Sequence, residues 1–174
     1  SIQRSLQLLN LRRIELQFED DQCSPKHAVS AYRRLRQKGV KFFYLACSGS
    51  VLALAPLAKT EESLIITAYA SSAAIRNTGP EVIRYIPDAY QISQEMAGFL
   101  RQRGLAKIGL LFEEQEYASN VASLVADGLG GRVSKQVSYT AGSGDYRAEL
   151  LRLIGSKVDL LVLVPTAKES LALI

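Results

Sequence analysis

Short apolar blocks of strand length alternate with longer segments of helical period along nearly the whole chain. Ile14, Leu16 and Phe18 alternate with Glu15, Gln17 and Glu19, as in a half-buried strand. Ser24 followed by Pro25 starts a helix, with proline at the first helical position. Ala28, Val29, Tyr32 and Leu35 share one face of that helix, and Gly39 stops it. Residues 40–46, 64–67, 82–86, 107–112, 132–139 and 158–164 read as further strands. Helices are predicted from the Ser48-Gly49-Ser50 turn to about Lys59, and over 91–103, 117–129, 146–154 and from 169 onward. Asp145 is placed to cap the helix over 146–154. Such alternation predicts an α/β fold with parallel sheets and helices on both faces. Pro87-Asp88 is the best boundary between two halves.

The rest of the sequence removes function classes. Its 174 residues are 48% hydrophobic and 22% charged, enough apolar material for a proper core. The net charge of +4 is spread out. The clusters Arg33, Arg34, Arg36, Lys38 and Arg101, Arg103 read as solvated helix faces, not a nucleic-acid stripe. No apolar run reaches the roughly 18 residues of a membrane span, and no signal peptide is visible, so an exported chain would be a mature or trimmed form. Gly142-Ser143-Gly144 lacks the Lys-Ser/Thr of a phosphate loop, and no Gly-x-Gly-x-x-Gly follows a strand. Glu113-Glu114 reads as a solvated strand end. Ser48 lies on a strand-to-helix turn but lacks a full nucleophile elbow. The single histidine, His27, sits early on a helix where it is expected to be exposed. With no metal-ligand spacing and no triad, the chain reads as a non-enzyme without cofactor or metal.

What remains is a rim of polar residues at the carboxyl ends of strands, where open parallel sheets bind ligands. Ser48, Gly49 and Ser50 open a helix. Its free N–H groups and dipole, with two hydroxyls, suit a carboxylate or similar group. Ser71 and Ser72 follow the next strand. Tyr117 follows a later one and offers a ring face and a hydroxyl.

The order of these segments resembles the periplasmic binding proteins of type I fold that serve branched-chain amino acid transporters. The resemblance is carried by Asp20, Asp21, Cys23, Pro25 and Ala28; by Cys47-Ser48-Gly49-Ser50; by Thr67-Ala68-Tyr69-Ala70-Ser71-Ser72; by Arg84 to Gln91; by Phe112 to Tyr117; and by Gly144-Asp145-Tyr146 with Val158-Asp159-Leu160. It implies two Rossmann-like lobes closing on a ligand. Lobe one would cover 1–87, without its first strand, and 88–174 would be part of lobe two, so the fold would be incomplete at both ends. It implies a Cys23–Cys47 disulfide and a periplasmic or extracellular location. Ser48, Tyr69 (through its backbone) and Ser71 would hold the ligand's charged ends from lobe one. Tyr117 would approach from lobe two, and Thr166 stands where amino-acid binders often carry an aromatic. The implied ligand is a small polar molecule such as an amino acid or amide. The implied partner is the membrane permease of an ABC transporter, or a receptor's signalling domain if the fold serves as a sensor. A third expectation is an interaction module whose cleft Tyr69 plugs.

Overall fold

The computed structural model describes residues 14–142 and 144–165. The expected alternation is present. Helix α1 (Pro25–Gln37) precedes β1 (Phe42–Tyr44), α2 (Ser48–Thr60), β2 (Leu64–Thr67), a 3-10 turn (Ala73–Asn77) and β3 (Val82–Arg84). Then come α3 (Ala89–Gln102), β4 (Ile108–Glu113), α4 (Glu116–Leu129), a second 3-10 turn (Gly130–Arg132), β5 (Val133–Tyr139), α5 (Arg147–Ile154) and β6 (Leu160–Val164). The strands form two three-stranded sheets, ordered β1-β2-β3 and β5-β4-β6, and every pairing is parallel. No helix among the described residues is long and apolar enough to cross a membrane.

Sheet one packs one face against α1 and α2. Phe43 and Ile65 point into a cluster with Ala28, Tyr32, Val51, Leu54 and Ala58. The Tyr32 and Phe43 rings lie 4.6 Å apart, and the Tyr32 hydroxyl meets the Ser63 hydroxyl at 2.8 Å. Sheet two is covered on both faces. Ile108, Leu110 and Val164 pack with residues of α3 and α4, while Leu111, Val137 and Tyr139 pack with Leu153 of α5 and with Tyr146. The prediction of helices on both faces therefore holds for sheet two. In sheet one, among the described residues, Phe42, Tyr44 and Ile83 remain exposed on the other face.

Three local expectations are corrected. Residues 14–19 alternate as a strand does but pair with no strand among the described residues. They run beside β1 across a cavity of about 340 Å³ that both segments line. Period-2 patterning makes a strand only where a neighbour supplies the ladder. Asp145 is not the N-cap of α5; that position is Tyr146. The Asp145 carboxylate accepts instead from the Arg147 N–H at 3.1 Å, an Asx turn one residue earlier. Glu113 is buried, not solvated, because β4 is the central strand of sheet two. Glu114 is exposed and accepts from the Ser138 and Thr140 hydroxyls. Ser143, Thr166 and the helix predicted from 169 onward lie outside the described residues.

Cys23 and Cys47 are joined in a disulfide with their Cα atoms 5.4 Å apart, an ordinary separation for such a bridge. The approach to it is built by two aspartates. The Asp20 and Asp21 carboxylates accept from the N–H groups of Gln22 and Cys23 at 2.8 and 3.0 Å. Those two residues sit at positive φ, where such side-chain support is needed. Asp21 also lies close to both sulfurs, but the sulfurs are committed to each other.

Two stability changes are expected. Replacing Leu110, fully buried in the central strand, with alanine should cost about 3 kcal/mol in urea unfolding. Replacing both cysteines with serine should cost about 3 kcal/mol, because the bridge closes a sequence separation of 24 residues.

Candidate functional site

The carboxyl ends of β1 and β2 and the start of α4 converge. β1 delivers the chain through Cys47 into α2, whose N-cap, Cys47, makes no side-chain capping bond. Ser48, Gly49 and Ser50 form the first turn of that helix. Backbone N–H groups there have no intrahelical acceptor and carry the positive end of the helix dipole. Ser48 is buried and its Oγ accepts from the Ser72 N–H at 3.2 Å. Ser50 is fully buried, and its Oγ has no hydrogen-bond partner among the described residues. A hydroxyl in that state is costly unless something polar reaches it. Gly49 lies where a Cβ would sit 3.4 Å from Pro25 and 3.8 Å from the Glu116 Cβ, so this turn packs between α1 and the start of α4.

The loop after β2 is shaped by Thr67. Its Oγ1 accepts from the N–H groups of Tyr69 and Ala70 at 3.3 and 3.0 Å. The loop turns back so that Ser71 and Ser72 are buried while the Tyr69 side chain is exposed. The Ser71 carbonyl accepts from the Ala89 N–H at 2.6 Å, tying the loop to the start of α3. Ser72 is held from three sides. Besides its bond to Ser48, its carbonyl accepts from Arg84 at 2.8 Å, and its hydroxyl donates to Glu116 Oε1 at 2.9 Å. One residue on, the Ala73 N–H donates to Asn120 Oδ1 at 3.0 Å. Glu116 and Asn120 are four apart and share one face of α4.

The structure therefore brings Ser48, Gly49, Ser50, Ser71 and Ser72 into one place. Tyr117 is half-buried against the core under α4, beside Glu116 in the chain. Thr166 is outside the described residues. Sequence reading missed Glu116 and Asn120 as partners of the rim. The available signal was their i, i+4 spacing in the opening turns of a helix at a strand's carboxyl end.

An ion cluster around the buried Asp88 adjoins the rim loop through Arg84. Asp88 is nearly inaccessible and caps α3 by accepting from the Gln91 N–H at 3.1 Å. It also bonds Arg76 and lies 3.3 Å from Arg84. Burial pushes the Asp88 carboxyl up, but the Gln91 N–H, the Arg76 bond and the charges of Arg76 and Arg84 outweigh it, so its pKa is lowered. A lowered native value makes stability present above the unfolded value and lost as pH falls through the native one. Asp88→Asn should cost about 2 kcal/mol at neutral pH. In urea unfolding followed against pH, the gap to wild type should hold down to about the ordinary aspartate value of 3.8 and close below it.

Comparison with known proteins places the chain. Residues 9–174 match a family model described as periplasmic binding protein. The leucine-, isoleucine-, valine-, threonine- and alanine-binding protein of Pseudomonas aeruginosa is 28% identical over 151 residues, 83% of this chain and 40% of that protein. The Leu/Ile/Val-binding protein of Escherichia coli is 26% identical over 146 residues, 80% of this chain and again 40% of the relative. The chain thus spans about 40% of the length of the curated relatives it matches. Among solved structures, an ABC transporter solute-binding protein of Rhodopseudomonas palustris bound to 3,4-dihydroxybenzoic acid superposes with a TM-score of 0.80 at 19% identity. That match covers 90% of this chain and 44% of the other. A leucine-binding protein of Thermotoga maritima gives a TM-score of 0.77 at 21% identity, covering 86% and 44%. These structural likenesses are likenesses of fold.

Proposed function

This chain belongs to the periplasmic binding proteins, an extracytoplasmic family, and we propose that it is part of an ABC transporter's solute-binding protein that captures a small polar ligand between two lobes. In this reading lobe one ends near Pro87 and lobe two begins near Asp88. The membrane permease is the partner that reads the closed form. The family is one of binders, not enzymes, and the relatives named above take amino acids or an aromatic acid.

One observation carries the reading to this site. The first turn of α2, at the carboxyl end of β1, has backbone N–H groups without an intrahelical acceptor and holds a buried Ser50 hydroxyl with no partner among the described residues. Ser72 and the start of α4 face it across the junction. A polar ligand group is recognised there by N–H donors and hydroxyls. In this reading Ser48, Gly49, Ser50, Ser71 and Ser72 supply lobe one's contacts, together with the backbone at Tyr69. Tyr117 supplies lobe two's, and Thr166 is a further candidate.

A thermal-shift screen of the full-length protein against amino acids, amides, urea and aromatic acids tests the reading. A true ligand at a hundred times its Kd should add about 2.7 kcal/mol of stability by mass action. Ser48→Ala and Ser71→Ala should each weaken the binding at least about tenfold. Unchanged affinity in both variants would move the site elsewhere, and no shift with any compound would count against solute capture.

A further inference from the structure

The rim already contains an anion. Glu116 opens α4, its side chain is exposed at the junction, and its Oε1 accepts from the fully buried Ser72 hydroxyl at 2.9 Å. A Cβ on Gly49 would lie 3.8 Å from the Glu116 Cβ, so the root of this side chain adjoins the opening turn of α2, and its carboxylate reaches Ser72, whose N–H bonds Ser48 of that turn. Asn120, one turn further along α4, accepts from the Ala73 N–H at 3.0 Å and holds that face of the helix against the loop.

We infer that Glu116 is the specificity-determining residue of the rim, and that the rim takes an uncharged primary amide in preference to a carboxylate. The inference rests on the ligand-binding reading above and narrows its ligand class. A ligand carboxylate at the start of α2 meets favourable N–H donors, but it also meets a second carboxylate, and like charges that close repel. An amide avoids this conflict. Its carbonyl oxygen accepts from the α2 N–H groups and the serine hydroxyls. Its NH2 group donates to a carboxylate oxygen of Glu116, which is an acceptor only. A bond to a charged acceptor is stronger than one between neutral groups. Discrimination of this kind comes from the unfavourable pairing imposed on the wrong ligand as much as from the contacts made with the right one.

Calorimetric titration of the full-length protein with the matched pairs benzoate and benzamide, and 4-hydroxybenzoate and 4-hydroxybenzamide, tests the inference in wild type and Glu116→Gln. The glutamine keeps the size and an acceptor for Ser72 but removes the charge. Wild type should bind the amide of a pair at least about tenfold more tightly. The variant should shift the amide-to-carboxylate ratio by about tenfold toward the acid, equivalent to about 1.4 kcal/mol. A purely structural role for Glu116 would lower both affinities together and leave the ratio unchanged, and that result overturns the inference while leaving the binding reading intact. Hydrogen exchange supplies a ligand-free arm. The Ala73 amide, held by Asn120 Oδ1, should exchange faster in Asn120→Ala, and an unchanged rate would overturn that cross-junction contact and with it the placement of α4 against the rim loop. If no probe binds either protein while exchange does respond, the binding reading fails and the specificity assignment falls with it.

Discussion

The buried carboxylate of Asp88 holds the crossing between the two sheets. A charge removed from water needs a full set of partners, and Asp88 draws them from three parts of the chain. Gln91 comes from α3, Arg76 from the 3-10 turn after β2, and Arg84 from the end of β3. Arg84 passes the constraint on, because it also donates to the Ser72 carbonyl. The position of the rim loop therefore depends on an ion cluster that is not itself on the rim. Moving Asp88 would release the cap of α3, the last residue of β3 and the loop that carries Ser71 and Ser72.

The polar rim follows from parallel topology. Parallel strands send all their carboxyl ends the same way, and each helix that follows begins there with its N–H groups free. The starts of α2 and α4 thus face the same junction, one from each sheet. Ser48 and Ser72 lock the α2 turn to the loop, and Glu116 and Asn120 lock the loop to α4. Two electropositive helix starts and one carboxylate then share a small volume. In the specificity we propose for this junction, that balance of charge selects the ligand group.

Much of this was legible in the sequence because it rests on local signals. The six strands from Phe42 onward, proline at the start of α1 and the small-residue turn at Ser48 each follow from period, capping or steric rules that act within a few residues. The lapses are non-local. The alternation at Ile14, Leu16 and Phe18 is strand-like, but a strand also needs an edge to pair with. Glu113 and Glu114 are neighbours of equal charge. Only the central place of β4 buries one, while the other turns to Ser138 and Thr140. Asp145 is one residue from the cap it was expected to form, because Tyr146 is drawn into the core against Tyr139 and occupies that position.

Fold class, parallel topology and the clustering of serines after β1 and β2 are written in local sequence. Hydrophobic period and turn chemistry are properties of neighbouring residues, and the order of motifs identified the family. The junction of Ser48, Ser72, Ala73, Glu116 and Asn120, and the meeting of Asp88 with Arg76 and Arg84 beside it, arise from packing. Those contacts join residues from different elements. Their geometry is set by how the helices pack on the sheets, which no local pattern encodes.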